Sequence, residues 1–248
     1  MLQQLTQQQK ILAAALAFIL VVGGAFLLTR PTADMADDTA VETAMIEAAE
    51  NAASEADAVK PAAPVAASNA GALDTPNPMG EIVLGDANAP VTIVEYSSLT
   101  CPHCGAFHRD TLPKLKTQYV DSGQVKIYFR PFPFDPYATA GAMLAQCVAP
   151  KARVNFLDML FKRQQQWIQS EKPMDALLAL SRQAGLSESD FVVCLKDEGK
   201  LEAIRQMQAA AADELGVRST PTFFVNGEKI EGNRGLDAFD KVIKPLLP

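Results

Sequence analysis

Val91-Thr92-Ile93-Val94-Glu95-Tyr96-Ser97 leads through Ser98-Leu99-Thr100 into Cys101-Pro102-His103-Cys104. The first run is short and rich in β-branched and aromatic residues, the pattern of a buried strand. Pro102 suits a first helical position, where its missing N–H would be unpaired anyway, and Thr100 is placed to cap that helix. The helix is expected to run through Phe107, Leu112 and Leu115 towards Asp121, with a kink or break near Pro113. Two thiols two residues apart at a helix start can close into a reactive disulfide. The positive helix end favours a thiolate on Cys101, and His103 adds a donor or positive charge beside it. Cys104, one turn on, is more sheltered and reads as the resolving sulfur. Stabilising the thiolate stabilises the reduced pair and makes the disulfide a stronger oxidant.

Other readings compete. Cys101, Cys104 and His108 are plausible zinc ligands by type, but a second C-x-x-C is absent and His103 is the only other histidine. The spacing therefore falls short of a structural zinc site, and no metal is expected. A purely structural disulfide would close too small a loop to constrain much chain.

The N-terminus bears on the compartment. Ile11 to Thr29 carries no charge, is bracketed by Lys10 and Arg30, and is long enough to cross most of a bilayer. It is expected to be an uncleaved transmembrane signal-anchor at 11–29, behind a cytoplasmic segment at 1–10. The alternative is a cleaved signal that leaves a soluble periplasmic protein. Thiol–disulfide chemistry and four cysteines point to the oxidising side of the membrane, a periplasmic domain held at the bacterial inner membrane.

Residues 30–78 read as a disordered tether. Nine of the 29 acidic residues fall between 31 and 78, against one lysine, so the net charge of −7 belongs to this stretch. It is rich in alanine and ends in Pro61, Pro64, Pro76 and Pro78. A thin apolar stripe of Val41, Met45 and Ile46 could self-associate, but it sustains no heptads and a monomer is expected. No basic stripe suggests nucleic acid.

Residues 79–248 are one domain's worth of chain. Val125 to Arg130 reads as a second strand, and Pro131, Pro133 and Pro136 then break the chain. From about 138 to 214 no strand signal appears. Helices are expected at 142–148, 154–161, 174–184, 191–195 and 201–215, with Ser187 and Asp190 as a start signal. Thr222 to Val225 returns to strand. Asn226-Gly227 is a two-residue hairpin turn, Glu228 to Ile230 pairs back, and 236–246 closes the chain as a helix. The order is β-α-β, a block of helices, then β-β-α.

Four features together resemble the DsbA family of thiol–disulfide oxidoreductases. They are Cys101-Pro102-His103-Cys104 after a strand, Glu95 six positions earlier, Thr220-Pro221 before a strand, and Phe224-Val225-Asn226-Gly227 at the hairpin. The likeness covers about 79–248. It implies an α/β thioredoxin fold with an inserted helical domain, and a cis Pro221 packed beside the cysteine pair. Thr220 would tune the thiolate and grip peptide, and Glu95 would lie beneath the pair and assist proton movement at Cys104. It also implies a dithiol oxidase acting on newly exported proteins and reoxidised by a quinone-linked membrane partner of the DsbB type. The redox-active disulfide is then the only redox group, with no other cofactor. The anchor and long tether depart from the common family pattern.

Pairing Cys101 with Cys104 leaves Cys147 and Cys194, expected to form a structural disulfide between two helices. The alternatives are two buried free thiols or a pair that tunes the active one. Two other functions remain open. One is an isomerase or reductase, dimeric through the alanine-rich stretch and supplied with electrons at the membrane. The other is a tethered chaperone-like or metal-holding binding protein without turnover.

Overall fold

The computed structural model describes Leu73 and residues 75–247. The expected anchor at 11–29, the stripe at Val41, Met45 and Ile46, and nearly all of the tether lie outside the described residues. Among the described residues no helix is long and apolar enough to cross a membrane.

Five strands form one mixed sheet in the order β1-β3-β2-β4-β5: β1 Ile82–Leu84, β2 Val91–Ser97, β3 Val125–Pro131, β4 Thr222–Val225 and β5 Glu228–Glu231. β2 is central, parallel to β3 and antiparallel to β4. Period-two alternation splits its side chains between two cores. Val91 and Ile93 face the larger core with Ile127, Phe129, Phe223 and Phe107. Val94 and Tyr96 face a smaller one with Phe224, Met207 and Leu215. The hairpin turn is as read: Asn226 (φ 45°) and Gly227 (φ 94°) both take the left-handed conformation that a two-residue turn requires. Strand β1, antiparallel to β3, was not among the expected elements. It is three residues long, too short to show alternation.

The helix after the cysteine motif departs from expectation. α1 is Pro102–Ala106, and the chain continues without a break through a π turn at Phe107–Thr111, α2 at Leu112–Leu115 and a second π turn at Lys116–Val120. Pro113 causes no break because the wider π turn, with Leu112 N–H bonded to Phe107 O, absorbs the proline that cannot donate to the ladder. Thr100 is not the cap. Cys101 holds that position, and the Thr100 hydroxyl donates to Asp135 Oδ2 instead.

Helices α3 Pro136–Cys147, α4 Arg153–Lys162, α5 Gln164–Ile168, α6 Pro173–Gln183, α7 Glu188–Leu195 and α8 Glu198–Asp213 lie between β3 and β4. This matches the expected insertion, with α5 as an unanticipated addition. Ser187 caps α7 by accepting from Asp190 N–H, as its spacing suggested. Cys147 and Cys194 are disulfide-bonded, joining the end of α3 to α7. α9 is Leu236–Ile243, shorter than expected because Lys244–Leu246 tightens into a 3-10 turn.

Candidate active site

The loop after β2 places Cys101 at the start of α1, beyond the carboxyl end of the central strand. Cys101 and Cys104 are both free thiols, the first partly exposed and the second fully buried. Pro102 and His103 are exposed at the helix tip. Gly105 follows because a Cβ there would stand 2.6 Å from the Gln164 side-chain oxygen.

The Thr220–Pro221 bond is cis, as the resemblance implied. It brings Thr220 to the pair across 119 residues of sequence: the Cys101 thiol donates to Thr220 O at 3.3 Å. The Thr220 hydroxyl is buried without a hydrogen-bond partner in the resting dithiol. It lies close enough to Cys101 to favour the thiolate.

These contacts split the two thiols. Cys101 falls from an ordinary 9.0 to about 5, chiefly through the hydrogen bond from Cys104. Burial works against this, while Thr220 and the N–H groups of Cys104 and His103 add to the lowering. Cys104 moves far upward, first through burial, then through its bond to Cys101 and the negative charge of Glu95. The site therefore holds one nucleophilic thiolate above one dry thiol. The sign of the pH dependence follows. A depressed Cys101 pKa stabilises the folded dithiol fully above about pH 9, and that gain is lost as pH falls through about 5. Thiolate absorbance should titrate near pH 5. The stability of the dithiol form relative to the disulfide form should rise with pH between those limits. A midpoint near 9 would contradict the geometry.

Beneath the pair, Glu95 is fully buried, and its register partners on β3 and β4 are Phe129 and Phe223. Neither carboxylate oxygen has a hydrogen bond. Its neighbour in this apolar pocket is His108, whose Nε2 lies 3.5 Å from Oε2. Sequence reasoning weighed His108 only as a zinc ligand. Among the described residues no three His, Cys, Asp or Glu side chains gather into a metal-binding group.

Gln164 was also missed. Buried at the start of α5, it donates from Nε2 to Leu99 O at 2.7 Å and to Cys101 O at 2.8 Å. One amide from the helical insertion thus holds the loop that carries the nucleophile. Gln164→Ala leaves Leu99 O without that donor, and unfolding should become easier by about 1–3 kcal/mol. Chemical denaturation checks this; an unchanged midpoint would mean that water replaces the amide at no cost.

The comparisons with known proteins agree with this geometry. A family model described as Thioredoxin matches residues 77–245. A protein of Rickettsia prowazekii named as a protein-disulfide oxidoreductase is 30% identical over 171 residues, covering 67% of this chain and 61% of its own. The chain thus spans about three-fifths of the length of the rickettsial relatives it matches. Disulfide bond formation protein D of Bacillus subtilis is 26% identical, over 69% of this chain and 79% of that protein. The crystal structure of Wolbachia pipientis α-DsbA1 superposes with a TM-score of 0.62 at 31% identity, covering 67% of this chain and 90% of that one. A thioredoxin sheet with a helical insertion and a C-x-x-C facing a cis-proline places this chain in the thioredoxin family, among its DsbA-like oxidoreductases.

Proposed function

We propose that this protein is a dithiol oxidase that introduces disulfide bonds into exported proteins. The observation that carries this reading is the separation of the two thiols. Cys101, held near 5, favours the reduced pair, so the disulfide form is an oxidant that gives up its bond readily. A substrate thiolate attacks Cys101 and forms a mixed disulfide. A second substrate thiol resolves it, and the enzyme leaves as the dithiol. Partly exposed Cys101 accepts the attack, and the main chain around Thr220 and Pro221 offers pairing to an extended peptide without selecting sequence. The electron-carrying group is the cysteine pair itself.

The setting belongs to the same proposal. The uncharged stretch at 11–29 holds the domain at the outer face of the bacterial inner membrane, and the tether gives it reach. A quinone-linked membrane partner of the DsbB type restores the disulfide. The name of the Bacillus subtilis relative, a disulfide bond formation protein, favours oxidation over isomerisation.

The test is to mix the oxidised protein with a reduced, unfolded cysteine-containing protein and count thiols. One disulfide delivered per enzyme, with Cys101 and Cys104 left reduced, is the expected result. A protein that only rearranges wrong disulfides, and only in its reduced form, would be an isomerase.

A further inference from the structure

Exchange at this site has a proton problem. When a thiolate attacks Cys101, the Cys101–Cys104 bond breaks and its electron pair stays on Cys104, a sulfur with no exposure. An ionised Cys104 there is strongly disfavoured by burial and by the Glu95 charge, so a proton must reach it. Glu95 is the acid whose charge acts on it, but Glu95 is equally shut off from water.

A row of groups leads outward. His108 Nε2 faces Glu95 Oε2 at 3.5 Å, and the ring's other nitrogen, Nδ1, lies 3.2 Å from Asp158 Oδ1. Asp158, on α4, is 27% exposed, and its second oxygen pairs with the half-exposed Lys162 at 2.6 Å. The imidazole is fixed in place. It stacks on Phe161 at 4.0 Å and 19°, with Phe107 edge-on and Phe129 on its sheet side. The charged groups facing it are therefore Glu95 from β2 and Asp158 from α4, with Lys162 behind the latter. Burial works against its charge, but the two carboxylates outweigh burial and raise its pKa. A wholly apolar role fits poorly, because a buried ring between two carboxylates is costly unless it carries a proton.

We propose that His108 is the proton relay of this site, connecting Glu95 beneath the cysteines to solvent at Asp158. The inference rests only on exchange at Cys101–Cys104, whichever way disulfides flow. On opening of the disulfide, His108 passes its Nε2 proton through the Glu95 carboxylate to the Cys104 thiolate. His108 is left as the Nδ1–H tautomer donating to Asp158, and Glu95 is again a carboxylate. On closing, the Cys104 proton passes to Glu95 and then to Nε2. The freed electron pair forms the new S–S bond, and the substrate sulfur leaves with the electrons of the mixed disulfide. The imidazolium exchanges its proton with solvent through Asp158. His108 thus acts through Glu95, as a positioning residue for the proton.

The test is single-turnover reduction of the full-length disulfide form by dithiothreitol across pH, corrected for the ionisation of the reagent. In the wild-type protein the corrected rate should fall as pH rises through the His108 titration. In His108→Gln, an amide that bonds but carries no proton, the rate should drop roughly tenfold, below the effect of a directly acting acid, and the limb should vanish. Asp158→Asn keeps the ring but removes a carboxylate that supports its charge, so the limb should move to lower pH. That variant changes a partly exposed group and decides the matter if His108→Gln does not fold. A His108→Gln profile identical to the wild type, or an Asp158→Asn limb that stays put, overturns the relay. Cys101 thiolate absorbance separates this from failure of exchange itself. It should titrate near 5 in every variant, and its loss in the wild type would strike at the exchange chemistry instead.

Discussion

Replacing Cys104 with alanine should turn the protein into a covalent trap. Cys101 keeps the N–H groups of the helix start and the Thr220 side chain, so it still attacks disulfides in client proteins. It loses its largest stabilising contact, the hydrogen bond from Cys104, so its pKa should rise from about 5. The adduct formed by that attack then lacks Cys104, the internal thiol that releases it when exchange runs in this direction. Mixed disulfides with client proteins should accumulate, and turnover should fall by at least about 10³-fold, the scale of losing one member of a catalytic unit. Cys101→Ser should lose turnover as completely and trap nothing, since the attacked sulfur is gone. Non-reducing electrophoresis of both variants gives the readout. An adduct-free Cys104→Ala protein would remove the exchange mechanism.

The second large effect concerns stability. The Cys147–Cys194 bond spans 47 positions and ties α3, which leaves the sheet, to α7, deep in the insertion. Closing a loop of that length restricts the unfolded chain, and by the chain-entropy relation this contributes about 4 kcal/mol. Changing both cysteines to serine should lower the melting temperature by roughly 10 °C for a domain of this size. The Cys101–Cys104 pair lies elsewhere in the fold, so the Cys101 titration should stay where it is. Calorimetry and thiolate absorbance on one double variant read both. A melting temperature within a degree or two of the parent would show that the bond restrains a segment already ordered when unfolded.

The features legible in the sequence were those written in local chemistry. A β-branched run, a cysteine pair with proline between, an Asn-Gly turn and a Ser-x-x-Asp helix start each carry their own physical instruction. Each stands in the fold where that instruction put it. The cis Thr220–Pro221 bond came from family likeness alone, because local sequence favours the trans form. What was missed depends on distant partners. Gln164 is an ordinary glutamine until the fold sets it under Leu99 and Cys101. His108 and Asp158 are separated by 50 positions, and nothing in either neighbourhood announces the other. Thr100 misled for a related reason: a threonine before a helix looks like a cap, but Asp135 claims its hydroxyl. Pro113 marked an irregularity rather than an end, because π turns on both sides of α2 keep the chain helical.

The most direct measurement is the equilibrium reduction potential of Cys101–Cys104, by thiol trapping across glutathione ratios. Stabilisation of the Cys101 thiolate requires an oxidising pair, less negative than about −180 mV on the scale where thioredoxin lies near −270 mV. A value as reducing as thioredoxin's would mean that the helix start, Cys104 and Thr220 do not hold the thiolate as their geometry indicates.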